Sequence, residues 1–192
     1  MRLVDVDCPI AARLPRQPRQ KRSKARVEQV LDQAHAIIGD RGLAGLTMQQ
    51  LATDLGWPRP TIYKHFPSIE SVVHGLAERH ADRLDEQLRD RTPEDLPTII
   101  RIVARSYEDP IEAAVLLGTT GGAEDPLMRL LAERIAAAGA PTGQDQGFAQ
   151  MTAAALRGCL ISAVTASGRV DERHLEQIEA IAQRLTATGR RS

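Results

Sequence analysis

Apolar residues recur every three or four positions along most of this chain, with charged residues between them. Such a stripe predicts an amphipathic α-helix with one face against a core. A first stripe begins at Ser23 and ends before Gly42, a second follows Thr47, and a third runs from Ser68 to about Arg91. No alternating pattern typical of β-strands competes with them, so the sequence predicts an all-α protein.

Beyond Pro93 the same spacing predicts five more helices, at about 94–108, 110–117, 124–138, 146–168 and 171–188. The stretch from Met151 to Val164 is apolar nearly all round, which is typical of a helix buried on several sides. With its amphipathic successor, it is expected to form half of a four-helix dimer interface. The residues predicted for that interface are Leu156, Leu160, Val164, Leu175, Ile178 and Ile181. Alternatively, both helices complete the core of a single subunit.

A helix, a glycine turn and a second short helix are predicted between Thr47 and Ser68. Thr47 and Gln50 have the spacing of a capping box, in which the side-chain oxygen of each residue accepts a hydrogen bond from the backbone N–H of the other. Gly56 permits the left-handed backbone of a sharp turn, and Pro60 fixes a helical φ where a missing N–H costs little. This spacing is typical of a helix-turn-helix that reads DNA.

The second of these helices is too short for a large core-facing stripe, and its side chains are of types that contact phosphates and base edges. The segment carries Arg59, Thr61, Tyr63, Lys64 and His65. A residue before proline avoids the helical region, so we expect an extended Arg59 and a helix that begins at Pro60. Phe66 is expected to anchor the segment in the core.

The charges are divided unequally along the chain. Its net charge is zero, but residues 1–67 carry 11 Lys and Arg against 6 Asp and Glu, whereas residues 68–192 carry 14 against 19. The two parts therefore have net charges of +5 and −5. A basic part joined to an acidic part fits a DNA-facing module on a body that does not itself approach DNA. A chance asymmetry is the alternative.

Length and composition predict the domain organisation. A chain of 192 residues suits one or two domains. Residues 1–22 are expected to be a flexible basic arm, which either enters a minor groove or is a solvated leader. Residues 23–68 are predicted to form the helix-turn-helix domain and residues 69–192 a helical effector-binding and dimerisation domain. No run reaches the ~18 apolar residues that a membrane span needs, so a cytoplasmic protein without membrane contact is expected.

The segment from Gly56 to Ser68, GWPRPTIYKHFPS, resembles the recognition segment of the TetR family of bacterial transcription regulators. The signature of that family is a threonine-led helix, an alanine and a glycine before the turn, and then T-[IL]-Y-x-[HY]-F. The resemblance covers residues 24–68, and the remaining chain is similar only in length and helical pattern. It implies a homodimer in which each subunit places its recognition helix in a major groove of a pseudo-palindromic operator in double-stranded DNA.

The resemblance also implies roles for individual residues. Carried over by position, the phosphate contacts are Thr47, Tyr63 and His65, and the contacts to base edges are Arg59, Thr61 and Lys64, next to Pro60. The chain departs from the family at Ile69, where a phosphate-binding lysine is common, and at Pro58 and Pro60, where a cap and a glycine are usual. A helical ligand-binding or interaction protein with a vestigial helix-turn-helix is therefore the alternative.

For the C-terminal domain, the resemblance implies a small-molecule effector in a cavity between helices. The candidate effector-binding residues are His80, Arg101, Arg105 and Tyr107. An otherwise aliphatic lining favours an apolar or amphipathic ligand. Repression relieved by that ligand is expected from the family, with activation as the alternative. No phosphate loop, nucleophile elbow or metal-ligand spacing occurs, so no enzyme activity, cofactor or metal is expected.

Overall fold

The computed structural model of the protein describes residues 16–89, 96–121, 124–137 and 145–189. Over these ranges the chain is all-α, as the hydrophobic pattern predicts, with nine α-helices, one 3₁₀ turn and no strand. The helices are α1 (Arg16–Arg41), α2 (Met48–Leu55), α3 (Arg59–Tyr63), α4 (Ile69–Arg89), α5 (Leu96–Ser106), α6 (Pro110–Leu117), α7 (Pro126–Ala137), α8 (Asp145–Ser167) and α9 (Glu172–Gly189), and the 3₁₀ turn is Leu43–Gly45.

The first helix is longer than predicted. It begins at Arg16, seven residues before the expected start at Ser23, and so includes the last part of the predicted arm. The sequence between these points is rich in Arg, Lys and Gln, which favour helices, and Pro18 falls in the first turn, where its missing N–H has no helical acceptor. The rest of the predicted arm, residues 1–15, lies outside the described residues.

Two hydrophobic clusters divide the fold, and α4 belongs to both. Val72 and Leu76, in its first half, pack with α1, α2 and α3. Leu84 and Leu88, in its second half, pack with α5, α7 and α8. We call residues 16–76 the head and residues 77–189 the body. One uninterrupted helix therefore connects the two.

A second connection between head and body runs through α6. Val115 of this helix is buried in the cluster of the head, and Ile111 packs beside it. Gly39 of α1 faces Ile111 so closely that a Cβ atom at this glycine would lie 3.0 Å from the Ile111 Cδ1 atom. The first helix of the head is therefore packed directly against a helix of the body.

The helices α8 and α9 contribute mainly to the core of their own subunit. Five of the six residues predicted for a dimer interface are buried there, namely Leu156, Leu160, Val164, Leu175 and Ile178. This corrects the prediction, because side chains already enclosed by α5 and α7 are not available to a second subunit. The sixth, Ile181, is half-buried. The segment Gly147–Ser167 is long and apolar enough to span a membrane by composition, and 44% of its most apolar window is buried inside the fold.

A buried ion pair holds the segment before α7 against α8. The Arg157 Nε atom donates to the Asp125 Oδ2 atom at 3.1 Å, and its Nη2 atom donates to the hydroxyl of Thr119 at 2.7 Å. The other carboxylate oxygen of Asp125 accepts the Leu127 N–H at 3.0 Å and so caps α7. Gly121 has φ 70, and a Cβ atom there would lie 2.5 Å from the Arg157 guanidinium. This loop therefore requires glycine at that position.

Candidate nucleic-acid interface and effector cavity

The first helix of the helix-turn-helix is capped by Thr47. Its backbone is extended, and its Oγ1 atom accepts the N–H of Gln50 at 3.1 Å. The side chain of Gln50 does not bond back to Thr47 but donates to Asp54 at 2.6 Å. The predicted capping box is therefore half formed, because the Gln50 side chain extends along the helix to the Asp54 carboxylate instead of back to the Thr47 N–H.

The turn after α2 follows the sequence closely. Gly56 has φ 64 and ψ 26, the left-handed conformation that its position requires. Trp57 is half-buried against the core of the head, and the guanidinium of Arg26 lies 5.9 Å from the centre of its ring. A cation over an indole at this distance is attracted to the ring face. Arg26 therefore forms a contact between the first helix and the turn.

The recognition helix begins one residue earlier than expected. Arg59 is helical and Pro58, not Arg59, is the extended residue before the helix. The N–H of Thr61 donates to the Pro58 carbonyl at 2.9 Å and closes a turn that requires helical backbone at Arg59. The bias of a residue before proline is therefore overcome, since Pro60 lies in the first turn, where it lacks no helical hydrogen bond.

The predicted DNA-contacting side chains differ in exposure. Those that are exposed are Thr47, Arg59, Pro60, Tyr63 and Lys64, with 47% of Tyr63 accessible. Thr61 is half-buried. His65 is also half-buried, and its Nε2 atom is covered by protein, so that atom cannot reach a phosphate in this conformation. Ile62 and Phe66 are buried and fix the helix to the head.

Ile69, at a position where the TetR family commonly has a lysine, is the first residue of α4. Ser68 and Ser71 cap this helix reciprocally, since the N–H of Ser71 donates to the Ser68 Oγ atom at 3.3 Å and the N–H of Ser68 donates to the Ser71 Oγ atom at 3.1 Å. Ile69, between them, is half-buried and packs against the core of the head. The side chain at this position therefore contributes to packing.

Two of the four predicted effector residues meet in the body. The rings of His80 and Tyr107 are 5.1 Å apart and line a small cavity, together with Glu112, Thr119 and Asp125. Arg101 and Arg105 are exposed, and Arg101 pairs with Glu179 of α9 at 2.8 Å. Both arginines are therefore corrected from cavity residues to surface residues, because they are exposed and do not line the cavity, whereas Tyr107 is buried.

The sequence interpretation missed the acidic part of this cavity. Glu112 is 6% exposed and is the single charged residue in the helix PIEAAVLL. A lone carboxylate in an apolar helix signals a buried polar partner, and this signal was present in the sequence. Asp125 is 5% exposed and is paired with Arg157, which lies 32 positions away in the chain. Nothing in local spacing connects those two residues.

Burial and charge set the protonation of the cavity. Burial raises the pKa of Glu112, but the hydrogen bond and charge of His80 and the charge of Arg83 outweigh that effect and hold the pKa below its usual value. Burial, followed by the charges of Glu112 and Asp125, raises the pKa of Tyr107. The cavity therefore contains a carboxylate and a neutral phenol at neutral pH. No three His, Cys, Asp or Glu side chains of the described ranges are arranged to hold a metal ion.

Residues 30–76 match the model of the family described as bacterial regulatory proteins, tetR family. This match covers the head from residue 30 onward, including the cap at Thr47, the left-handed Gly56 and the exposed recognition helix. Residues 30–76 therefore form a head of the TetR-family type. Within it, Ile69 and the two prolines of the turn are departures that the packing of the TetR head accommodates.

Two curated regulators match a longer stretch of the chain than the family model does. The chain is 36% identical over 80 residues to the HTH-type transcriptional regulator EthR of Mycobacterium tuberculosis. The matched stretch covers 41% of this chain and 37% of EthR. The chain is also 30% identical over 102 residues to the HTH-type transcriptional activator FasR of Mycolicibacterium smegmatis. That stretch covers 52% of this chain and 43% of FasR. The chain thus spans about two fifths of the length of these curated relatives.

A solved structure shows the same fold over most of the chain. The multidrug binding protein EbrR, complexed with imidazole, superposes with a TM-score of 0.58 and covers 83% of this chain and 94% of its own. The two sequences are 17% identical over that region. The likeness therefore concerns the fold, in which a TetR head is joined to a helical body.

Proposed function

We propose that this protein is a cytoplasmic, DNA-binding transcriptional regulator that binds a pseudo-palindromic operator as a homodimer and is released by a small effector. The observation that carries the proposal is the recognition helix, which is anchored by buried Ile62 and Phe66 while Arg59, Tyr63 and Lys64 face solvent. A buried side and a basic, hydrogen-bonding side are what a helix in a major groove needs. Repression by operator occupancy is our first proposal, and activation, as the name of FasR states for that relative, is the second.

Individual side chains have distinct proposed roles at DNA. Arg59 stands in the first turn of α3, and Lys64 follows its last residue, so the two bracket the exposed side of the helix. An arginine at the leading edge of a recognition helix is suited to a bidentate bond with guanine. We propose Arg59, Thr61 and Lys64 for base edges, and Thr47 and Tyr63 for phosphates.

The variant Arg59→Ala tests the base contact. We expect it to weaken binding to the selected operator by about 1–3 kcal/mol, because a lost bidentate contact affects one sequence more than others. Binding to random DNA should weaken less. The measurement is a fluorescence-anisotropy titration on both DNAs, with Arg105→Ala in the exposed part of α5 as a matched control. Equal losses on operator and random DNA would reject a base-reading role for Arg59.

A vestigial helix-turn-helix on a ligand-binding protein is the rival proposal. Its supporting features are Ile69 and the two prolines, but Ile69 packs against the head and Pro60 leaves the helix intact. The two proposals differ in salt dependence. A DNA binder loses affinity steeply as salt rises, since each neutralised phosphate releases a counterion. The rival protein would show no such slope.

We propose that the homodimer forms through the solvent face of α8 rather than through the buried residues named from the sequence. Met151 is 72% exposed and Phe148 is 37% exposed on this helix. Ala154, Ala155 and Gly158 are exposed and follow Met151 at helical spacing. Small side chains let a second helix approach closely, and exposed large apolar groups are typical of an interface that is covered in the assembly.

The variant Ala155→Glu tests this face. Placing a carboxylate between two closely packed helices should weaken the dimer on the order of 100-fold, because the charge would be buried without a partner. Sedimentation velocity over a range of protein concentrations measures the change. Ala136→Glu, at an exposed alanine of α7, is the control and should leave association unchanged. If the two variants associate equally, the dimer uses another surface.

The effector is proposed to occupy the cavity between α4, α5, α6 and α7. Its walls combine Leu116, Leu127 and Ala81 with the polar groups of Tyr107 and Glu112. This lining matches an amphipathic ligand with an apolar part and one hydrogen-bond donor, but the cavity measures about 10 Å³, so the surrounding helices would have to move apart to admit such a ligand. In the proposed dimer, such a ligand would lower DNA affinity by binding more tightly when the two heads are spaced unsuitably for the operator. The size of the effect would equal the difference between its affinities for the two spacings.

A further inference from the structure

The first helix runs from the body towards the end of the head that carries the recognition helix. Near the C-terminal end of α1, Gly39 packs against Ile111 of α6 in the body. Nearer its start, the guanidinium of Arg26 lies 5.9 Å from the ring centre of Trp57, in the turn that leads into the recognition helix. These two contacts fix the direction of α1. The residues that precede Arg26 therefore continue past the turn and away from the body.

This continuation is the helical segment 16–25, which we call the basic extension. At a rise of about 1.5 Å per residue, an α-helix of that length extends about 15 Å. The basic extension belongs to the same uninterrupted helix as Val30 and Ala34, which are fully buried in the core of the head. Its placement is therefore determined by the packing of α1 in the head.

The charges of the basic extension all have the same sign. It contains no Asp or Glu, and the first acidic residue of α1 is Glu28. The cations are Arg16, Arg19, Lys21, Arg22 and Lys24. Several of them are three or four positions apart, a spacing at which like charges on a helix repel each other. A polyanion alongside the helix would compensate for this repulsion.

Duplex DNA is the polyanion that fits this position. The turn at Trp57, where the basic extension begins to leave the head, is followed directly by the recognition helix and its exposed Arg59. A duplex carries one negative charge per about 1.7 Å of its axis, so a helix about 15 Å long can face several phosphates. A recognition helix bound in a major groove would bring those phosphates to the same end of the head.

We propose that the basic extension binds the phosphate backbone of duplex DNA beside the bases that the recognition helix reads, so that α1 is a second DNA-contacting element of each subunit. This inference rests on the proposed DNA-binding function. Phosphate contacts orient a protein on the duplex and add affinity, but they carry no sequence information. The basic extension therefore contributes to the strength of binding, and the recognition helix contributes the choice of sequence.

The triple variant Arg19→Gln, Lys21→Gln, Arg22→Gln tests the charges. Glutamine retains a good helix propensity, so the change removes charge and leaves the helix. The logarithm of the affinity for the selected operator falls with the logarithm of the salt concentration, with a slope of about 0.9 per neutralised phosphate. We expect the variant to have a shallower slope than the wild type by about 2–3 for each subunit. Fluorescence-anisotropy titrations at several salt concentrations measure the slope.

A matched control removes three exposed cations from the body. It is the triple variant Arg105→Gln, Arg169→Gln, Arg173→Gln, which lowers the net charge of the chain by the same amount. Its salt slope should equal that of the wild type. If the two triple variants have equal slopes, the effect is one of overall charge, and the basic extension has no contact of its own with DNA.

The ratio of the affinities for operator and random DNA separates phosphate contacts from base contacts. At about 0.1 M salt the extension variant should lose on the order of ten-fold in affinity on both DNAs, because the phosphates are the same in every sequence. The ratio should stay within about two-fold of the wild-type ratio. A ratio that falls by about ten-fold or more would overturn the assignment to phosphates and would indicate a segment that reads bases in the minor groove.

The variant Ala25→Pro tests the helix while retaining every charge. Proline inside a helix removes a hydrogen bond and breaks or kinks the helix. We expect binding to the selected operator to weaken on the order of five-fold, because the basic extension is no longer held in line with α1. Ala25→Ser, at the same exposed position, is the control and should bind as the wild type does. If Ala25→Pro also binds as the wild type does, the charges act without the helix and the proposed placement is overturned.

Failure of this inference can be distinguished from failure of the regulator proposal. If the wild type binds no DNA even at low salt, the regulator proposal fails and the inference fails with it. If the wild type binds the selected operator with a steep salt slope and the extension variant has the same slope, the regulator proposal stands and the basic extension does not contact DNA.

Discussion

Replacing Asp125 with alanine is expected to lower the free energy of unfolding by about 3–5 kcal/mol, because it leaves the Arg157 guanidinium buried without its partner. Asp125 and Arg157 are 5% and 8% exposed. The same change removes the oxygen that accepts the N–H groups of Leu127 and Met128 at the start of α7. Urea denaturation of the purified variant measures the loss.

The chain offers a closely matched control for this experiment. Asp109 also precedes a proline at the start of a helix, and its Oδ1 atom accepts the N–H of Ile111 at 2.8 Å. It is exposed, so Asp109→Ala should cost about 1 kcal/mol, the usual value of a cap. The difference between the two variants isolates the buried ion pair. Equal losses would mean that Arg157 is as well solvated in the variant as in water.

Replacing Phe66 with alanine is expected to lower the stability of the head by about 3–5 kcal/mol, because it empties a site in the core. Phe66 is 7% exposed. Its ring approaches α4 so closely that a Cβ atom at Gly75 would lie 3.1 Å from the Phe66 Cε1 atom. Thermal unfolding followed by circular dichroism measures the change.

Tyr63, three residues earlier, provides the contrasting variant. Its ring is 47% exposed, so Tyr63→Ala should change stability by only about 0.5 kcal/mol. The same variant should weaken DNA binding, since we propose a phosphate contact from its hydroxyl. If Tyr63→Ala destabilised the protein more than Phe66→Ala, the assignment of Phe66 to the core and of Tyr63 to DNA would be contradicted.

Much of the fold was readable from local signals. The period of the apolar residues placed the helices, Gly56 and Ser68 marked a turn and a cap, and Phe66 was expected in the core, where it lies. These features depend on residues within one helical turn of each other. The start of the recognition helix was missed by one residue, because hydrogen bonding across the turn at Pro58 outweighs a conformational bias.

The interior of the body could not be read in the same way. Glu112, His80 and Ser106 come from three helices and meet only after these helices pack. The apolar run in α8 indicated burial, but it could not show which face a helix turns to its own core and which to a second subunit. Leu156 therefore looked as suitable for an interface as Met151, although the first is 2% and the second 72% exposed.

The account centres on a head that reads DNA, and one measurement tests it most directly. Fragments of the genome that encodes this protein would be selected by binding to the purified chain, at low salt and again at high salt. We predict enrichment of one pseudo-palindromic sequence, with affinity that falls steeply as salt rises. If no sequence is enriched at low salt, the protein does not act as a sequence-reading regulator.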